Sequence, residues 1–170
     1  MSLLVRKCNR NNWDYDIVNA SDISADAITQ CMKTSKNSMS VFEIASEENI
    51  DEAFLAIASN FDRLDAFDVV TLEKHHITER GYDCVQSLGI TPIESLKNTH
   101  WDITSLAYGN LGNIAEYIHN RTRDNKIQRR AKYELKCLII DAIESGRLEL
   151  TALKKKVREE IEAEIDRRKS

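Results

Sequence analysis

Two glutamates and two histidines fall within one short run, Glu73, His75, His76 and Glu79. Imidazole and carboxylate are the groups that most often shuttle a proton near neutral pH or hold a divalent ion. If the run is helical, His76 and Glu79 are in His-x-x-Glu spacing and reach one point in space. These residues are therefore the first candidates for a general base or for the ligands of a metal-assisted hydrolase. A metal site normally takes three or four ligands, and the sequence offers no further matched set, so the expectation is no bound metal. Surface histidines beside a strand end account for the same pattern. His100 is the remaining candidate. It opens His100-Trp101-Asp102 at what reads as a helix start, where the helix dipole favours an anion and Trp101 has a face on which a base or sugar can stack.

Other chemistry is excluded more firmly. Cys8, Cys31, Cys84 and Cys137 never form a close pair, so neither a zinc knuckle nor a redox dithiol is present, and each thiol reads as a small apolar core residue. The first strand is followed by Asn9-Arg10-Asn11-Asn12, without the glycines that let backbone approach a pyrophosphate. No nucleophile elbow occurs. The sequence implies no cofactor, and it assigns no catalytic reaction.

The densest charge feature is Arg121, Arg123, Lys126, Arg129, Arg130, Lys132 and Lys136, set against Asp124 and Glu134. Such a cluster can neutralise phosphates, which makes nucleic acid a possible partner. It also has an obvious internal mate. Residues 1–90 carry 8 Lys/Arg and 15 Asp/Glu, and residues 91–170 carry 16 and 13, so net charges of −7 and +3 make up the −4 of the whole chain. The stretch Glu43–Asp83 holds most of the acids of the first half.

The elements that must position these groups change character at the single proline, in Thr91-Pro92. Ahead of it, Leu3–Cys8, Ser40–Ala45 and Phe67–Leu72 read as strands, and Tyr82–Leu88 as a weaker fourth. Helices are expected from about Ser21 to Met32 and after Asn49, where Ile50, Ala53, Phe54, Ile57, Ala58 and Phe61 share one face. A short helical turn at Ile77–Arg80 stops at Gly81. Strand, helix, strand, helix, strand is the signature of parallel crossovers. The expected fold is therefore α/β, with a small three- or four-stranded, mainly parallel sheet over residues 1–90. Residues 91–170 read as a three-helix segment. Its long helix runs over Ile103–Ile118, the next over Arg130–Ser145, and the last begins near Thr151. The two parts are expected to pack as one globular unit.

The last helix carries Leu153, Val157, Ile161 and Ile165, a stripe one residue wide that needs a surface to cover it. That surface is either the body of the chain or a second copy. With 42% hydrophobic and 31% charged residues, the composition is that of a folded globular protein. Met1–Arg6 lacks the apolar stretch of a signal peptide and no window is long enough to span a membrane, so the expected compartment is the cytoplasm and no membrane partner is expected. The resulting expectation is a non-enzymatic protein–protein interaction module, as an assembly subunit or a homodimer. Nucleic-acid association through residues 121–136 and metal-assisted hydrolysis at His75, His76 and Glu79 are the alternatives.

Overall fold

The computed structural model describes residues 2–13, 16–17 and 19–169; Met1, the first residue of the N-terminal run, lies outside them. Six strands form one sheet: β1 (Leu3–Cys8), β2 (Met39–Ile44), β3 (Phe67–Glu73), β4 (Cys84–Gln86), β5 (His100–Ile103) and β6 (Ile127–Arg130). Their order is β4-β5-β2-β1-β3-β6. Every neighbouring pair is antiparallel, and the sheet curls into a half-barrel. The helices are α1 (Ile50–Ala58), α2 (Lys74–Glu79), α3 (Glu94–Lys97), α4 (Tyr108–Arg123), α5 (Lys132–Glu144) and α6 (Lys155–Lys169). A π-helical turn, Ala27–Cys31, replaces the regular helix expected before Met32.

The mainly parallel sheet expected from the sequence is thus overturned, for a specific reason. β2, α1 and β3 do form a crossover, and β2 and β3 run in the same direction. They are not neighbours, however. β1 fills the gap between them and runs opposite to both, with Leu4 facing Glu43 on one side and Leu72 on the other. A strand–helix–strand pattern does not say whether another strand occupies that gap.

The strand count was also too low, because two strands come from residues 91–170. His100–Ile103 is β5, between β2 and β4, rather than the start of a helix; the long helix begins later, at Tyr108. Ile127–Arg130 pairs with β3, with Ile127 opposite Val70 and Arg130 opposite Phe67. Gln and Arg are good helix formers, and here pairing to an existing strand overrides that preference.

Both faces of the sheet are covered. β3 is buried on both, as expected for Phe67-Asp68-Val69-Val70-Thr71-Leu72. On one side, Val5, Ile44, Phe67 and Val69 join residues of α1, α3, α5 and α6 in a single apolar cluster. On the other, Leu4, Cys8, Val70 and Leu72 pack with Trp13, the π-helical turn, Ile77 and α4. Gly81 and Gly146, with φ of 82° and 73°, end α2 and α5 in the left-handed conformation that glycine adopts without strain. No helix among the described residues is long and apolar enough to cross a membrane.

Candidate functional site

The C-terminal end of β3 runs directly into α2, and this junction gathers three of the candidate residues. Glu73 is the last residue of β3, and His75 and His76 lie in the first turn of α2. Their ligand-capable atoms all lie within 4.8 Å of one another. Glu73 Oε2 is 3.6 Å from His75 Nε2 and 3.3 Å from His76 Nδ1. The two imidazole rings stand 3.9 Å apart with planes tilted by 43°. Each of the three side chains is partly exposed, by 21% for Glu73, 35% for His75 and 38% for His76. Glu79 is exposed on the surface and lies outside the group.

A second layer fixes the carboxylate. Arg121 donates from Nη1 to Glu73 Oε1 at 2.8 Å and from Nε to the Thr71 carbonyl at 2.9 Å. Its side chain is 10% exposed, so this ion pair is far drier than a surface pair. The backbone N–H of Glu73 donates to the Tyr117 hydroxyl at 2.9 Å, and that oxygen lies 3.5 Å from His76 Nδ1. Burial pushes the Tyr117 phenol above its ordinary value of 10, so it remains a neutral hydroxyl able to donate. The Arg80 guanidinium sits over the Tyr117 ring at 4.3 Å. Tyr117 escaped the sequence reading, and Arg121 entered it only as one charge of the basic cluster. Their signal was four-residue spacing on one helix, which places both on the face of α4 that meets β3.

His100 belongs to a different network. On β5, its Nδ1 lies 2.7 Å from Ser87 Oγ, and Ser87 donates to Asp102 Oδ2 at 2.6 Å. The serine stands between imidazole and carboxylate, so the carboxylate does not orient the imidazole as it does in a hydrolase triad. Burial holds the His100 imidazole below its ordinary value. A Cβ on Gly89 would meet His100 Cβ at 3.0 Å, so glycine there permits the close approach.

Most of the basic cluster is engaged within the chain. Arg121 pairs with Glu73, Lys126 with Glu47, Arg129 with Asp68 and Arg130 with Asp51. Lys132 lies 2.6 Å and Lys136 3.9 Å from Glu160. Arg123 is exposed on the last turn of α4. Four of these carboxylates come from the acidic stretch of the first half. Arg147 with Glu52 and Lys154 with Asp62 add further pairs between the halves.

The α6 stripe is likewise taken up inside the chain. Leu153, Val157 and Ile161 are 3%, 0% and 0% exposed in the cluster they share with α1 and α5, and Ile165 packs at its margin. This removes the stripe as a reason to expect a second copy.

The exposed apolar surface lies elsewhere. Val85, Leu88, Ile90, Tyr108 and Tyr133 are the large hydrophobic residues left in solvent among the described residues, and the first three follow one another along β4 and the loop after it. Tyr108 opens α4, whose first turn is tied to the segment before β4 by the Tyr82 hydroxyl on the Asn110 carbonyl, and the residues leading into it by Ser105 Oγ on Asp83. Comparison with protein-family models, curated proteins and solved structures finds no match.

Proposed function

We propose that this chain is a protein–protein interaction module completed by an extended segment added to β4. The observation that carries the reading is the unequal treatment of the two sheet edges. β6, at one end, carries Arg129 and Arg130. Charged side chains are a usual device for discouraging edge-to-edge pairing. β4, at the other end, opens the uncharged run Cys84-Val85-Gln86-Ser87-Leu88-Gly89-Ile90. Within it Val85, Leu88 and Ile90 are 51%, 75% and 81% exposed. An open edge with adjoining apolar side chains offers main-chain hydrogen bonds for affinity and side-chain contacts for specificity, which is how extended segments are recognised.

The simplest donor is a second copy, with β4 against β4 across a two-fold axis. An uncharged run suits that pairing, because two copies of a chain of net charge −4 meet there without opposing like charges. The four cysteines are unpaired, which supports a reducing compartment such as the cytoplasm as the place of work.

Light scattering over a concentration series tests the homodimer, with Leu88→Lys as the edge-blocking variant. Dimerisation that Leu88→Lys abolishes, with the circular dichroism spectrum intact, supports the self-pairing form. For a different donor, a photo-crosslinking residue at Val85 should give a discrete adduct in cells, and one at the exposed Arg123 should not. A chain that stays monomeric and gives no Val85-specific adduct refutes the reading.

A further inference from the structure

The Glu73–His75–His76 group has dimensions that a set of hydrogen bonds does not explain. A charge-assisted N–H···O⁻ bond is about 2.7–2.9 Å long. The two imidazole–carboxylate distances here are 3.3 and 3.6 Å. Around a tetrahedral zinc ion with nitrogen and oxygen ligands at about 2.0–2.1 Å, neighbouring ligand atoms stand about 3.4 Å apart. Those two spacings match atoms flanking a common ion, and the third pair, His75 Nε2 and His76 Nδ1, lies within 4.8 Å.

We propose that Glu73 Oε2, His75 Nε2 and His76 Nδ1 form a zinc site of the His₂Glu type. Three features support the assignment. His75 Nε2 is the ring nitrogen that faces the group, 3.6 Å from Glu73 Oε2. Glu73 is held through its other oxygen by Arg121 and through its backbone N–H by Tyr117, so Oε2 is aimed before any ion arrives. Outer-shell support of this kind is what orients a ligating carboxylate. The partial exposure of all three side chains gives an ion a route in.

The donor set also argues for zinc over a harder ion. Two imidazoles and one carboxylate suit zinc, whereas magnesium and calcium prefer an all-oxygen set. Three protein ligands leave a fourth position for water, as in catalytic rather than structural zinc sites. The Tyr117 hydroxyl, near His76 Nδ1, is placed to hydrogen-bond a group bound there. The site lies at the β3–α2 junction and shares no residue with the β4 edge.

The test is isothermal titration of the full chain, tag-free and stripped with chelator, with zinc chloride. Cobalt(II) serves as the spectroscopic probe, because tetrahedral cobalt gives strong visible absorption. The expected result is one equivalent of zinc. Glu73→Gln and His76→Ala should each weaken binding by more than about 100-fold, beyond the 10–100-fold typical of outer-shell partners. Glu79→Gln should leave it unchanged. Glu73→Gln is close to isosteric, and circular dichroism checks that it folds. The assignment is overturned by the absence of saturable one-equivalent binding, or by binding that both ligand variants leave intact.

Discussion

Replacing Ile161 by alanine tests whether α6 belongs to the core of its own chain. Ile161 is completely buried, as is Val157 one turn before it. Burying an aliphatic side chain of this size contributes about 1.5–3 kcal/mol, and the cavity left by truncation raises the usual cost to about 2–5 kcal/mol. α6 forms an outer layer whose other face, including Glu162, is in solvent, so the helix has room to settle into part of the hole. That places Ile161→Ala at about 3 kcal/mol, a large share of the 5–15 kcal/mol by which domains are normally stable. For a chain of this length the melting temperature should fall by about 6–12 °C. Urea titration followed by circular dichroism measures the loss, with Glu162→Ala as a surface control expected within about 0.5 kcal/mol. Run in the Leu88→Lys background, where β4 pairing is blocked, at two protein concentrations tenfold apart, the same titration tells packing of α6 within a chain from its exchange between copies, because only the exchange then moves the midpoint with concentration. A loss below about 1 kcal/mol, or a concentration-dependent midpoint for the core transition, would refute the docking of α6 on its own body.

Two further perturbations address the buried polar groups. Arg121→Met removes the partner of Glu73 and the donor to the Thr71 carbonyl; stripping one member of a buried pair costs about 3–5 kcal/mol, and the 21% exposure of Glu73 places the expected loss near the bottom of that range by urea titration. Arg121→Lys should recover only part of it, because one ammonium cannot reproduce both directions of the guanidinium fork. His100 predicts a pH dependence. Its folded-state value lies below the unfolded value near 6.5, so below that pH the unfolded chain binds more protons and stability falls as the medium is acidified. His100→Gln should flatten the stability profile between pH 7.5 and 5.5, and an unchanged slope would show that burial of His100 does not control it.

The sequence showed local elements well and their neighbours poorly. The apolar face of α1 and the double burial of β3 were both legible, because each depends on a residue's own periodicity. The glycine stops at Gly81 and Gly146 were legible because glycine adopts a positive φ without strain. β5 and β6 were not. His100-Trp101-Asp102-Ile103 is short and only partly buried, and Thr99 with Asp102 mimics a helix cap. Ile127-Gln128-Arg129-Arg130 is strongly polar and exists as a strand because β3 offers it an edge. Strand direction was lost for the same reason: the partner of β2 and β3 is the first strand of the chain, and periodicity carries no record of it. In the candidate site, Glu73, His75 and His76 are close in sequence and could be found there. Tyr117 and Arg121 arrive from another element, and Glu79 was misleading because the metal-spaced group uses the carboxylate before the histidines rather than the one after them.

The ion pairs explain why the change in composition at Pro92 does not mark a structural seam. Lys126, Arg129, Arg130, Arg147 and Lys154 each reach back to a carboxylate between Glu47 and Asp68. Several of these pairs are solvent-exposed, and individually such pairs contribute at most about 1 kcal/mol. Their collective consequence is selective: they spend the basic charge of the second half on the acidic surface of the first and hold β6 and the segment after α5 against β3, α1 and the chain around them. The Glu73–Arg121 pair does the same in a drier setting, joining the end of β3 to the middle of the chain. The zinc site inferred at that junction therefore depends on both halves being assembled, even though its three ligands come from one short segment. A fragment ending near residue 90 would keep Glu73, His75 and His76 but lose the Arg121 and Tyr117 contacts that aim the carboxylate.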